Sequence, residues 1–255
     1  MQHYKAHKRA LPWRSTRDPY KILVSEIMLQ QTQTYRVEPK YKIFIKQFPT
    51  VHALAIASKK DLLHAWQGLG YNRRALNLQQ AAQIIKDEYR GKIPDAYSEL
   101  IKLPGIGPYT AGAICAFAFN KPETCIETNI RTAYLHHFFP NTTNVPDKDI
   151  LPLITQSLDR KNPREWYWAL MDYGAHLKAT KGNANIRSKH YARQSPFKGS
   201  LRATRGALLK LLITRPLSHS AILKELANYQ NVDHALQQLT HEGFITRNKK
   251  TYAIA

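Results

Sequence analysis

One short run constrains the fold more than any other part of the chain. It is Leu103-Pro104-Gly105-Ile106-Gly107, set between two helix-like stretches. A proline and two glycines in so few residues stop any helix entering from Tyr97 to Lys102. Glycine has no Cβ, so the backbone here can turn tightly and approach another group with its amides unshielded. The following residues, Tyr109 to Phe119, are small and apolar and suit a buried helix. The pattern predicts a helix-hairpin-helix over about residues 98–119. Amides at the start of such a second helix bind anions such as phosphate. Past Asn120-Lys121-Pro122 comes a carboxylate, Glu127, in Glu127-Thr128-Asn129.

Charge points the same way. The chain has 38 Lys+Arg against 18 Asp+Glu, a net charge of +20, which implies a polyanionic partner or an anionic surface. Hydrophobic residues at 43% and charged residues at 22% are ordinary for a globular protein and exclude a disordered one. A length of 255 residues allows one large domain or two smaller ones. Cys115 and Cys125 are too few for a disulfide framework and read as small buried hydrophobes. The basic start, MQHYKAHKRALPW, has no apolar core of a signal peptide, and no run is long enough to span a membrane. The expectation is a cytoplasmic, nucleoid-associated protein without membrane contact.

Periodicity predicts helices through most of the chain. Apolar residues recur at helical spacing over 20–48, with Asp18-Pro19 as the start signal. Further helices are predicted at 61–67, 76–89, 129–139, 147–158 and 164–177. No run alternates as a strand before residue 240. Residues 173–224 hold 11 Lys/Arg and no Asp or Glu, and Lys178 to Gly199 reads as a basic connector lying on a polyanion, with a flexible solvated linker as the alternative. Three helices are predicted at 205–214, 218–229 and 232–242, then a β-hairpin over Gly243 to Ile254 about an Asn248-Lys249-Lys250 turn. This order resembles a winged helix, with the third helix as recognition element and the turn as wing.

The hairpin and its neighbours resemble the helix-hairpin-helix, Gly-Pro, aspartate superfamily of DNA base-excision glycosylases, and within it the adenine glycosylases of the MutY type. The resemblance is carried by Leu11-Pro12-Trp13-Arg14, by SEIMLQQTQ at 25–33, by WQGLGY at 66–71, by LPGIGPYTAGA at 103–113 and by ALMDYGA at 169–175. These blocks cover roughly residues 8–178. The resemblance implies a mainly α, two-lobed glycosylase domain over 1–195 and a small winged-helix-like α+β domain over 200–255. It also implies double-stranded DNA carrying a mispair or lesion as partner, bound by a monomer.

A base glycosylase cleaves the N-glycosidic bond of a flipped-out nucleotide. The leaving base must be protonated and the sugar cation stabilised, two roles that carboxylates in different surroundings can share. Glu26 lies between Val24, Ile27 and Leu29, and a carboxylate in apolar surroundings holds its proton. The matching family glutamate protonates the purine. Glu127 stands where the family has its signature aspartate, which stabilises the sugar cation. Glutamate is one methylene longer, a displacement of about 1.5 Å, and a misplacement near 1 Å can cost on the order of a hundredfold in rate. Asn129 is expected to position this carboxylate or a water. Bifunctional relatives carry a Schiff-base lysine where this chain has Tyr109, which implies base removal without strand cleavage. Related thymine mismatch glycosylases share the tyrosine.

For DNA contact the resemblance implies the backbone amides of Gly105, Gly107, Tyr109 and Thr110, the inserted residues Gln31 and Tyr71, and the basic residues Lys178 and Arg187. Trp13 and Arg14 match the edge of the base pocket. The carbonyls of Ile101, Leu103 and Ile106 match those holding a monovalent cation, Na⁺ or K⁺. Tyr71 reads equally as core or as wedge, and the second aromatic usual after it is replaced by Asn72, then Arg73 and Arg74.

Two departures set expectations. The family's iron-sulfur cysteines fall at Lys178, Asn185, Ser188 and Gln194, and two cysteines cannot supply four thiolates, so no cluster is expected. Residues 200–255 are too short for the family's domain that reads 8-oxoguanine. The sequence thus leads to a monofunctional, clusterless glycosylase for adenine opposite 8-oxoguanine or guanine. A thymine or uracil glycosylase acting opposite guanine, and an inactive damage-binding protein, are the alternatives.

Overall fold

The computed structural model of the chain describes residues 2–255. In order come α1 (Gln2–His7), a 3-10 turn at Pro12–Arg14, α2 (Pro19–Leu29), α3 (Thr34–Gln47) and α4 (Val51–Ala55). Next are α5 (Lys59–Trp66), α6 (Arg73–Glu88), α7 (Tyr97–Leu100), α8 (Pro108–Phe119) and α9 (Thr128–Phe138). Then follow α10 (Asp147–Ser157), α11 (Pro163–Lys181), α12 (Leu201–Thr214), β1 (Leu217–Ser218) and α13 (His219–Glu225). The chain ends with α14 (Val232–His241), β2 (Ile245–Asn248) and β3 (Thr251–Ile254). The fold is mainly helical, as the periodicity requires. No described helix is long and apolar enough to cross a membrane.

Two compact units share the chain, and neither is continuous in sequence. The first holds residues 1–30 and 92–193, the second 31–91 and 194–255. In the first unit α2 packs on α8, and α9 packs on α11. Asp18 caps α2 by accepting from the amides of Tyr20 and Lys21, at 2.9 and 3.4 Å. The predicted 20–48 helix is two helices: α2 ends at Leu29, and Gln31 takes a left-handed backbone at φ 53°. Periodicity alone carries through such a break, because α3 resumes the same spacing three residues later.

The hairpin forms where predicted. Gly105 turns at φ 78°, a conformation that favours glycine, and Gly107 is the N-cap of α8. Pro108 opens α8, where its missing N–H costs nothing. The helix ends in left-handed Asn120 and is buried through most of its length, Cys115 included. Cys125 is buried too, as the sequence predicts. Gly174 lets α11 approach α9 closely, since a Cβ there would collide with the Asn129 carbonyl.

In the second unit α4 packs on α6, and Phe44 meets Phe48 and Trp66 edge-on at 4.9 and 5.8 Å. The C-terminal residues add three helices and a small antiparallel sheet of order β1-β3-β2. Within residues 200–255 the local pattern does not predict the two-residue β1, because a strand so short has no alternation to detect. These residues share their unit with 31–91: α12 packs on α5, and Lys59 Nζ donates to the Gly243 carbonyl at 2.7 Å. The expected recognition helix, α14, carries no Lys or Arg, and Gln238 and the adjoining Glu242 both bind Arg205. Exposed cations do stand at the hairpin tip, Arg247, Lys249 and Lys250.

Candidate active site

The first unit brings Glu26, Tyr109, Glu127, Asn129 and Arg14 together. Glu26 lies mid-helix in α2, flanked by Val24, Ile27 and Met28, and is 4% exposed. The Tyr109 hydroxyl donates to its Oε2 at 3.0 Å. Burial pushes its pKa up to about 7; the Tyr109 hydrogen bond and Arg14 oppose this, and the nearby Glu127 charge adds to it. The carboxyl is thus poised to hold a proton near neutral pH. Tyr109 is itself held neutral, because burial and the two carboxylates raise its hydroxyl well above the usual phenol range.

Glu127 is built differently. It is the N-cap of α9, and Oε1 accepts from the amides of Asn129 and Ile130 at 2.7 and 2.8 Å. The Asn129 side chain donates to Oε2 at 3.2 Å. The longer side chain therefore folds back onto its own helix start, where the helix dipole favours negative charge. Burial still raises its pKa, against the pull of those amides and of Arg131 and Arg9. The preceding loop is fixed by Tyr167, whose hydroxyl donates to the Glu123 carbonyl at 2.8 Å and accepts from the Cys125 amide at 3.0 Å.

Arg14 is locked by Asp172, a residue the sequence reading did not single out. Both Asp172 oxygens accept from Arg14, at 2.7 and 2.9 Å, and Arg9 adds contacts at 2.5 and 3.1 Å. The guanidinium lies over the Trp168 ring at 5.6 Å. Asp172 is 5% exposed, and its two arginines hold its pKa below the usual range despite burial. A lone acid inside the otherwise apolar 166–177 helix was the available signal. Trp13, beside Arg14, is buried.

Gln30 was also missed, in the shadow of Gln31. Its side-chain amide donates to the Gly105 carbonyl and to Thr110 Oγ1, each at 3.1 Å, tying the end of α2 to the hairpin. Gly105 and Gly107 are exposed, and no side chain caps α8, which leaves the Tyr109 and Thr110 amides for an anion. The Leu103 carbonyl accepts from the Ile106 amide at 3.1 Å, while Ile101 is exposed and Leu103 and Ile106 are buried.

The remaining expected residues lie elsewhere. Gln31 and Tyr71 belong to the second unit. Lys178 is exposed on the last turns of α11. Arg187 spends two donors on the Leu135 and Pro140 carbonyls, at 2.8 and 3.1 Å, so it finishes α9. At the family's cluster positions, Lys178, Asn185, Ser188 and Gln194 offer no thiolate, and the residues present do not fit an iron-sulfur centre. Asn185 is buried there and donates to the Thr128 carbonyl at 3.1 Å and Thr132 Oγ1 at 2.5 Å. Among the described residues no group of three or more His, Cys, Asp or Glu is placed to hold a metal.

Two buried carboxyls, one held by a phenol and one by helix-start amides, thus stand in the same unit as a hairpin with free amides. The family described as HhH-GPD superfamily base excision DNA repair protein matches residues 24–154, and the chain belongs to it. The adenine DNA glycosylase of Mycolicibacterium smegmatis is 32% identical, over 95% of this chain and 89% of that protein. The adenine DNA glycosylase of Buchnera aphidicola subsp. Baizongia pistaciae is 39% identical over 66% of this chain, and the chain spans about half of it, 48%. Among solved structures, a thermostable thymine-DNA glycosylase matches with TM-score 0.64 at 26% identity, covering 72% of this chain and 86% of that one. An endonuclease III–DNA complex shares the fold, with TM-score 0.60 at 19% identity over 70% and 84%.

Proposed function

We propose that this protein is a monofunctional DNA glycosylase that hydrolyses the N-glycosidic bond of adenine mispaired with 8-oxoguanine or guanine. The observation that carries the reading is the buried Tyr109–Glu26 hydrogen bond, with Glu26 poised near pH 7, beside an amide-bound Glu127. Glu26 protonates the extruded base and so makes it a leaving group. Glu127 faces the positive charge that develops on the sugar, held by Asn129 and the start of α9. A water then adds to the sugar and leaves an abasic site. Tyr109 supplies no amine, so no Schiff base forms and the strand stays intact. The protein works without an iron-sulfur cluster, because its cluster positions carry hydrogen-bonding side chains in place of thiolates. The adenine glycosylases among its relatives support the substrate.

The test is base release from duplexes carrying A:8-oxoguanine, A:G, T:G, U:G and hypoxanthine pairs, developed with and without hot alkali. Alkali-dependent cleavage at adenine supports the reading, and iron content of the purified protein checks the missing cluster. Cleavage at T:G or U:G alone would keep the chemistry and move the substrate toward that of the thymine-DNA glycosylase relative. Tight binding with no release from any duplex would make the protein a damage binder.

A further inference from the structure

Within the second unit, the Gln31 and Tyr71 loops are held as one piece. Both residues take left-handed backbones, at φ 53° and 47°, which non-glycine residues rarely adopt. Arg74, 9% exposed, bridges them: it donates to Thr32 Oγ1 at 2.9 Å and to the Gly70 carbonyl at 3.1 Å. Its guanidinium lies over the Trp66 and Tyr71 rings at 5.5 and 5.6 Å. Arg36 adds a hydrogen bond to the Gly68 carbonyl.

A second cation reaches Tyr71 from the C-terminal segment. Arg202, in the first turn of α12, donates to the Tyr71 hydroxyl at 3.0 Å, and its guanidinium lies 5.8 Å from the ring centre. Arg202 is aimed by the Ser195 carbonyl at 2.8 Å and pairs with no carboxylate among the described residues. The segment is fastened beside this point. Arg73 and Arg205 both pair with Glu242, at 3.3 and 2.6 Å, and both lie over Phe244, at 5.3 and 5.9 Å. Residues 71, 73 and 74 thus all serve one assembly, in which a 37%-exposed tyrosine stands with two guanidinium planes on it.

We propose that Arg202 is a positioning residue for Tyr71, and that the C-terminal segment acts as a brace on this wedge. Arg202 fixes the tyrosine ring so that it enters the duplex preorganised, and places an unpaired cation beside the phosphate that flanks the opened step. This rests on the glycosylase reading, since it needs a duplex with a base to displace. It assigns the segment a task that α14, with no Lys or Arg, is not built to perform by groove reading.

The test measures the ratio of dissociation constants for matched and A:8-oxoguanine duplexes, and the fluorescence of 2-aminopurine beside the mispair, neither of which needs base release. Arg202→Ala is expected to lower the ratio about tenfold and the fluorescence change with it, as loss of a cation–π contact and a hydrogen bond predicts. Arg202→Lys should recover affinity for matched DNA but not the ratio, because an ammonium cannot stack and donate as a fork. Tyr71→Phe keeps the ring and should fall between. The deciding arm is Arg202→Ala in a Tyr71→Ala background, where no further loss of ratio is expected. An undiminished further loss there, or an equal loss on matched and mispaired DNA, would make Arg202 a simple phosphate contact and overturn the proposal. If Tyr71→Ala itself leaves the ratio unchanged, the wedge fails and the brace with it. If Tyr71→Ala matters and Arg202→Ala does not, only the brace fails.

Discussion

The middle of α2 and the start of α9 each present one glutamate to the same site, and the two are handled in opposite ways. Glu26 sits where the backbone amides are bonded within the helix, so among the described residues its carboxyl takes a phenol as donor and no amide. Glu127 sits where the amides are still free, and takes two of them together with the Asn129 side chain. Helix interior makes an acid; helix terminus makes a supported anion. Position along a helix thus sets the surroundings of each carboxyl, with no difference in side-chain chemistry.

The strongest way to break this comparison is to remove the proton. Glu26→Gln keeps the shape but cannot protonate a base, and single-turnover release should fall on the order of a thousandfold, within the range of general acid catalysis, with binding unchanged. A loss below tenfold would mean the proton comes from elsewhere. Glu127→Gln comes next, with an expected loss on the order of a hundredfold, comparable to removing one electrostatic contact in a transition state. Equal losses in the two variants would show that the roles are not divided this way.

How far the sequence led differs between the two carboxylates. Glu26 was legible as an acid because its neighbours in sequence are its neighbours in space along α2. The way Glu127 is held was not, because a glutamate at an aspartate position reads only as a longer arm; it takes coordinates to see the extra methylene fold back onto the Asn129 and Ile130 amides. Asp172 and Gln30 went unread for a related reason: their partners, Arg14 and Thr110, lie 158 and 80 residues away. The same holds for residues 200–255. Their helices and hairpin were visible in local pattern, whereas their packing against 31–91 depends on pairs such as Arg73–Glu242 that no local pattern encodes.

A gentler change sharpens the comparison through pH. The Tyr109 hydrogen bond lowers the Glu26 pKa, so Tyr109→Phe should raise it above about 7. Release by the unaltered protein needs protonated Glu26 and should decline as pH rises through about 7. In Tyr109→Phe the decline should move to higher pH while the plateau falls about tenfold, as expected when a hydrogen bond orienting the acid is lost. A decline at unchanged pH would show that another group controls the limb. Stability should follow the same proton. A carboxyl whose folded pKa exceeds its unfolded one binds more protons when folded, so stability falls as pH rises from about 4.5 to about 7. Thermal melts of Glu26→Gln should lose the Glu26 share of that slope and keep the share of Glu127, whose pKa burial also raises.

The smallest effect separates the two tasks of Glu127. As an N-cap it satisfies amides that would otherwise lack partners, and as an anion it meets the sugar cation. Glutamine retains an oxygen for the Asn129 and Ile130 amides but carries no charge; alanine retains neither. Glu127→Ala should therefore be less stable than Glu127→Gln by about 1 kcal/mol, the usual worth of an N-cap, although both lose catalysis alike. Denaturant unfolding at pH 8, above the Glu26 transition, reads the difference without interference from that proton. If the two variants are equally stable, the hydrogen bonds to Glu127 do not hold α9, and the carboxylate is placed instead by the packing of Gly174 on Asn129.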